Sequence, residues 1–190
     1  MKTSLDPRHQ KRQQIVQELF AASANPKTKI ADPKSVAVTQ NLTAIDAIIS
    51  DSAPEWEIAK INPIDLAILR LAIYELCFEL TEPPKVVIDE AIELAKEFGG
   101  DTAPAFINGA LGKALFSKTR VLKVMATKLG IEEEKLVPEA NLLTDLNATD
   151  LEIADLITVL EKDLNLIPPP DISRLSTVGS ILEYIEDHNE

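Results

Sequence analysis

Few residues in this sequence are of the types that carry out covalent chemistry, and their positions do not favour catalysis. The chain has one cysteine, Cys77, and two histidines, His9 and His188. Cys77 lies in an apolar run with no histidine nearby in sequence, which favours a buried structural cysteine over an activated thiolate. A single cysteine excludes an internal disulfide, and two histidines are too few to suggest a structural zinc site. We predict no catalytic residue and no metal ligand.

The other polar residues form no catalytic pattern either. None of the six glycines has the spacing of a phosphate-binding loop. Carboxylate clusters such as Asp89, Glu90 and Glu93 have the helical spacing that is typical of a solvated helix face rather than of an acid–base pair. The sequence therefore predicts a binding protein without enzymatic activity and without a bound cofactor.

Composition narrows the class of protein further. The 190 residues are 45% hydrophobic and only 4% aromatic, so the core must consist mainly of aliphatic side chains, which favours helical packing. The net charge of −12 argues against nucleic-acid binding through bulk charge but leaves room for a local basic patch. No apolar stretch approaches the roughly 20 residues that span a bilayer. We expect a cytoplasmic protein with no membrane partner.

Helix signals dominate the whole chain. Asp32-Pro33 and Asn62-Pro63 each place a capping side chain before a proline, the pattern of a helix start. Apolar periodicity predicts helices at 8–22, 33–49, 63–76, 86–98, 104–115, from Ser117 or Thr119 to 129, at 150–164, and from a Ser176 cap to 185. Residues 131–148 are predicted to form a long loop. With no period-two pattern, the expected fold class is all-α.

Three blocks of the sequence form a specific pattern: WEIAKINPIDLAILRLAIYEL at 56–76, PKVVIDEAIELAKEFG at 84–99 and FINGALGK at 106–113. In order and spacing they resemble the NusB transcription antitermination family. Weaker similarity extends the resemblance to residues 8–116. It implies a NusB-like helical bundle that binds single-stranded, boxA-like ribosomal RNA. It also implies two partners, the ribosomal protein NusE and the RNA polymerase antitermination complex.

The resemblance also implies which residues bind RNA. The family's RNA contact begins in a basic segment, here Arg8, His9, Lys11 and Arg12, which is thinner than the usual arginine run. Three cations and a histidine could neutralise about three phosphates, for a log–log salt slope of roughly −2. Phe20 matches a family aromatic on the RNA or NusE side. A solvated helix start for the basic segment and a core position for Phe20 remain the alternatives.

Partner-binding residues follow from the same resemblance. Asp65 matches an acidic family position that faces NusE, although an acidic residue in a first helical turn also complements the helix dipole. Asp101 and Thr102 lie in a loop that the family uses for RNA and partner binding. Thr102 replaces an acidic residue there.

The last third resembles the acyl carrier protein family. The similarity covers 143–151, 160–164, Ile167-Pro168 and 175–178, and the strong acidity and long first loop agree with it. At the position of the serine that carries phosphopantetheine this chain has Asp150, and a carboxylate cannot form that phosphodiester. Thr149 is one residue out of register. We therefore expect a carrier-like small helical bundle with no attached prosthetic group.

These observations predict two domains, a NusB-like RNA- and partner-binding domain at 1–117 and an acyl-carrier-like domain at 118–190. The predicted function is transcription antitermination through equilibrium binding of RNA and NusE. The alternatives are an acyl-carrier-type protein and a pure protein-interaction scaffold that has lost RNA binding.

Overall fold

The computed structural model describes residues 6–25, 27–169 and 171–188. The chain divides into two compact units, Met1–Ala114 and Leu115–Glu190, which we call unit 1 and unit 2. Across the described residues the regular structure is helical, and one isolated antiparallel bridge pairs Asn141 with Thr177. The all-α prediction is confirmed. None of the helices in this part of the chain is both long and apolar enough to cross a membrane.

Unit 1 is built around one central helix. Its helices are α1 (Pro7–Ala24), α2 (Pro33–Gln40), α3 (Leu42–Ser52), α4 (Pro63–Tyr74), α5 (Pro84–Phe98) and α6 (Ala103–Ala114), with a 3-10 turn at Ile58–Lys60 and a π-helical turn at Glu75–Glu79. The central helix, α4, contacts α1, α3, α5 and α6. It is buried on most of its circumference, which explains its nearly continuous apolar sequence.

The same local device starts three of these helices. Asp6, Asp32 and Asn62 each precede a proline at the first helical position, and each side chain accepts a hydrogen bond from the backbone N–H two residues on. Proline fits there because its missing N–H has no partner in a first helical turn. These caps fix where the N-terminal turns of α1, α2 and α4 lie, and those turns carry the polar residues discussed below.

The predicted helix from residue 33 to 49 is interrupted. Asn41 leaves helical geometry and separates α2 from α3. Its side chain donates to the Ala37 carbonyl at 2.8 Å, and the Thr39 hydroxyl donates to the Ser35 carbonyl at 2.8 Å. Such side chains compete with the backbone for hydrogen bonds, which accounts for a break where apolar spacing alone indicated one helix.

Unit 2 contains α7 (Lys118–Leu129), α8 (Asp150–Leu164) and α9 (Val178–Asp187), with 3-10 turns at Glu133–Lys135 and Ile172–Arg174. Ser117 caps α7, and Gly130 ends it in the left-handed region. Arg120 is fully buried beside Asp163 of α8, with 2.7 Å between its Nη2 and Oδ2. This ion pair joins α7 to α8 within an otherwise aliphatic core.

The long loop of unit 2 is held by backbone hydrogen bonds. The Leu142 N–H donates to the Ser176 carbonyl, and the Val178 N–H donates to the Ala140 carbonyl. Thr177, not Ser176 as predicted, caps α9, because its hydroxyl accepts from the Ser180 N–H in a reciprocal capping box. The loop is therefore ordered against the start of α9.

Candidate functional site

A groove opens in unit 1 where α4 begins. Asp65 lies in the first turn of α4 with only 8% of its surface exposed. No donor in the described part of the chain reaches its Oδ1 atom. Burial raises the pKa of the Asp65 carboxyl above its usual value, because a charged carboxylate is poorly solvated there. The Asp65 carboxyl thus has a buried oxygen whose hydrogen-bonding capacity is unused.

Two aromatic rings that contact each other line this groove. The Trp56 and Phe106 ring centroids are 5.5 Å apart, tilted by 60°, and 48% of Trp56 is exposed. Thr102 and Ala103 also line the groove, which has a volume of about 310 Å³. A groove of this size, lined by aromatic rings and a buried carboxyl, suits one inserted side chain or base that carries N–H donors.

Gly99 allows the loop before α6 to approach Asp65. A Cβ at this position would lie 2.5 Å from the Ala103 Cβ and 2.9 Å from Asp65 Oδ1, both too close for real contacts. The glycine is therefore required by the close packing of the α5–α6 turn against the start of α4. Asp101 is exposed in that turn, beside Thr102.

The basic segment of α1 has two exposed members. Arg8 is 68% exposed at its side chain and lies 3.6 Å from Asp6 and 3.7 Å from Glu82. Lys11 is also exposed and pairs with Asp32. Ion pairs of exposed side chains contribute little to stability, so an incoming phosphate can replace the carboxylates around Arg8. The Lys11 side chain is also more than half exposed, but its partner Asp32 is largely buried.

The other two members of the segment, predicted from the resemblance to contact RNA, are buried in this structure. His9 and Arg12 are each 8% exposed at the side chain. Arg12 Nε donates to both Glu75 oxygens, at 2.9 and 3.2 Å, and Nη1 lies 3.9 Å from Glu90. The alternative of a fully solvated helix start is wrong for these two residues for the same reason.

His9 makes two contacts of equal length. Its Nδ1 lies 2.9 Å from Glu90 Oε2, and its Nε2 lies 2.9 Å from Glu97 Oε1. Burial by itself would lower the pKa of His9, but the hydrogen bonds and charges of Glu90 and Glu97 outweigh it and raise the pKa above its usual value. We call His9, Glu90 and Glu97 the His9 clamp.

Sequence reasoning missed one cation beside this cluster. Lys34, in the first turn of α2, donates to Glu75 and Glu79 at 2.8 Å each. It lines a groove of about 410 Å³ together with Arg8, Lys11 and Arg12. Only the start signal at Asp32-Pro33, which places Lys34 in a first helical turn, could have drawn attention to it. Phe20, near the end of α1, is 39% exposed and is therefore not a core residue.

Comparison with known proteins identifies the family. Residues 9–116, more than half of the chain, match the NusB family. The chain belongs to the NusB family. It is 44% identical over 82 residues to the transcription antitermination protein NusB of Agathobacter rectalis, which covers 43% of this chain and 63% of that protein. It is 36% identical over 105 residues to the protein of the same name from Treponema denticola, covering 51% of this chain and 77% of that protein.

A solved structure agrees with this assignment. The T. maritima NusB structure aligns with a TM-score of 0.54 at 30% identity, and the alignment covers 65% of this chain and 98% of that one. The match with the A. rectalis protein spans less than two thirds of that relative. The NusB-like helical bundle predicted from the sequence is confirmed.

The second part of the chain matches a different family. Residues 119–185 match the phosphopantetheine attachment site family, which confirms the acyl-carrier-like bundle in addition to the NusB-like one. At the start of α8, the Thr149 hydroxyl accepts from the Glu152 N–H, and the Glu152 carboxylate accepts from the Thr149 N–H. Asp150 follows as the first helical residue and is exposed. The described residues contain no cluster of three side chains suited to a metal ion.

Proposed function

We propose that the NusB-family unit binds single-stranded, boxA-like RNA together with a NusE-type ribosomal protein, as part of an RNA polymerase antitermination complex in the cytoplasm. The chain acts by equilibrium binding, without covalent chemistry. The observation that carries the proposal is the groove at Asp65. Its lining combines Thr102 and the Trp56 and Phe106 rings with a buried carboxyl whose Oδ1 meets no donor from the described residues. Membership of the NusB family supports the same function.

RNA contact is assigned to the exposed cations of α1. The ion pairs that the described residues give Arg8 and Lys11 leave both side chains more than half exposed, whereas His9 and Arg12 are buried against carboxylates of other helical elements. Two phosphate contacts predict a log–log salt slope of roughly −1.4 for single-stranded RNA, about half the slope of roughly −2.8 that four contacts would give. The salt slope therefore counts how many members of the basic segment engage RNA.

The test is fluorescence anisotropy of a short boxA-like RNA, with and without NusE, across a salt series. The Asp65→Asn variant should weaken the NusE-dependent binding by about tenfold, since it removes the acceptor charge and introduces donors. It should leave the salt slope unchanged. Glu57→Gln is the matched control, because it removes one exposed charge from the segment before α4. Equal affinities for the two variants would contradict the assignment of the groove.

For unit 2 we propose a protein-interaction role without a prosthetic group. A carboxylate occupies position 150, and the Thr149 hydroxyl is engaged in the α8 capping box. Incubation of the chain with a phosphopantetheinyl transferase and coenzyme A should leave its mass unchanged. The variant Asp150→Ser is the positive control for a gain in mass, because it supplies a hydroxyl at the start of α8. A mass gain in the unaltered chain would instead support the acyl-carrier alternative.

A further inference from the structure

The His9 clamp is a doubly bonded histidine, and its geometry specifies the protonation state. Both ring nitrogens lie 2.9 Å from a carboxylate oxygen. A neutral imidazole has one N–H, so one of the two contacts would then place a nitrogen lone pair against a carboxylate. Only the imidazolium form donates to both partners. Both hydrogen bonds of the His9 clamp therefore form only when His9 is charged.

The clamp joins distant parts of unit 1. His9 is in the first turns of α1, whereas Glu90 and Glu97 lie two turns apart on α5. Glu97 also accepts from Gln13, one turn further along α1, at 2.5 Å. Arg8 and Lys11, the exposed cations, flank His9 in the same helical turns. The contacts of His9 thus hold the first two turns of α1 on α5, in addition to the contacts of Arg12 with Glu75 and Glu90.

We propose that His9 is a positioning residue for RNA binding, which acts by holding the start of α1 on α5 so that Arg8 and Lys11 face the RNA. The inference rests on the proposed function of unit 1. It gives His9 a role different from that of a phosphate contact, which its place in the basic segment suggested. The ligand remains a single-stranded RNA backbone, engaged by the two exposed cations.

The charges around His9 allow its protonation to control this arrangement. Glu90 and Glu97 face it from α5, Arg12 lies beside it on α1, and Glu75 of the π-helical turn binds Arg12. Lys34 of α2 neutralises part of Glu75. As the pH rises above 6.5, the ordinary histidine value, and through the raised pKa of His9, the second hydrogen bond of the clamp is lost. RNA affinity should fall over the same range.

Charge removal at Glu97 separates positioning from direct contact. If His9 touched phosphate, the Glu97→Gln substitution would free a cation and remove a negative charge, and both effects would strengthen RNA binding. If His9 positions α1, the same substitution weakens the clamp and lowers RNA affinity. The two mechanisms therefore predict changes of opposite sign for one isosteric variant.

The experiment compares full-length Glu97→Gln with Glu93→Gln by anisotropy of the boxA-like RNA at pH 6.0 to 8.5. Glu93 lies one turn earlier on α5, is exposed and pairs with Lys96, so its variant controls for the loss of one charge. We expect Glu97→Gln to bind about threefold more weakly than Glu93→Gln, the order of one weakened charge-assisted hydrogen bond. His9→Gln should flatten the pH profile, whereas His188→Gln should retain it.

Three results would overturn the proposal. Binding by Glu97→Gln that equals or exceeds that of Glu93→Gln would show that His9 does not position α1. An unchanged pH profile in His9→Gln would show that its protonation is irrelevant to binding. A wild-type chain that binds no RNA at low salt would refute the proposed function and, with it, this role. In that last case, a pH dependence of unfolding that is present in the wild type and absent in His9→Gln would still show that the clamp forms.

Discussion

Unit 1 buries ionisable side chains in two places, which differ in whether those side chains have hydrogen-bond partners. At the start of α1, Arg12 and His9 are buried against Glu75, Glu90 and Glu97, so each cation has carboxylates within hydrogen-bonding distance. At the start of α4, Asp65 is buried with its Oδ1 atom facing no donor from the described chain. The first site is internally satisfied, and the second is not.

The pKa directions express the same difference. Burial alone would lower the pKa of His9, but its two hydrogen bonds raise it, so the charged form is retained. For Asp65 burial raises the pKa, so the charged form is disfavoured until a donor arrives. Removing one partner of a satisfied buried ion pair destabilises the fold, whereas an unsatisfied buried acceptor can gain energy from a ligand that supplies a donor. We therefore expect substitutions at the two sites to separate stability from binding.

The largest effect is expected for Arg12→Met. Removing this guanidinium takes a shared cation from two buried carboxylates, Glu75 and Glu90. Lys34 still pairs with Glu75 and His9 with Glu90, so we expect a loss near the lower end of the about 3–5 kcal/mol that breaking a buried pair costs. Urea unfolding followed by the fluorescence of Trp56, the chain's one tryptophan, measures the loss in unit 1.

Arg8→Met is the control for that substitution. Arg8 belongs to the same basic segment, but its side-chain ion pairs within the described residues are longer than 3.5 Å and leave the side chain 68% exposed. Its loss should therefore change the free energy of unfolding by less than about 1 kcal/mol. Similar losses for both variants would mean that the buried ion pairs do not distinguish the two arginines.

A smaller effect is expected from the pH dependence at His9. Because its pKa is raised in the folded state, His9 stabilises the fold fully below pH 6.5, and this contribution is lost as the pH rises through the folded pKa. A hydrogen bond to a charged group is worth about 1.5 kcal/mol. Unfolding measured from pH 6 to 9 should show this decline in the wild type and not in His9→Gln. A decline of equal size in both would assign it to other groups.

These contrasts show which parts of the structure were predictable. Asp32-Pro33 and Asn62-Pro63 predicted helix starts because capping is local, and the family blocks named Asp65 and Thr102, which lie in one groove. The inward direction of His9 and Arg12 was not predictable, since their carboxylate partners are 63 to 88 residues away in sequence. In the sequence, the four basic side chains within residues 8–12 look equivalent. Their different environments depend on carboxylates that other helices contribute.

The smallest expected effect on stability is a gain, and it is expected for Asp65→Asn. Folding moves the wild-type carboxyl into a site without a donor, so wild-type stability should fall as the pH rises from 3.8 through the raised folded pKa. The asparagine variant carries no charge and escapes this penalty. At neutral pH we expect it to be more stable than the wild type by about 1 kcal/mol, the lower range for an unsatisfied buried polar group. Trp56 fluorescence in urea again measures the difference.

The pH profile makes this prediction specific to the carboxyl. The stability difference should vanish below pH 3.8, where both the folded and the unfolded wild-type chains hold Asp65 protonated. Glu57→Gln, at an exposed carboxylate, should stay within about 0.5 kcal/mol of the wild type throughout. If Asp65→Asn is more stable than the wild type but binds the NusE-type partner more weakly, the unsatisfied carboxyl lowers the stability of the fold and contributes to binding. Loss of stability in Asp65→Asn would mean instead that the carboxyl is satisfied within the fold.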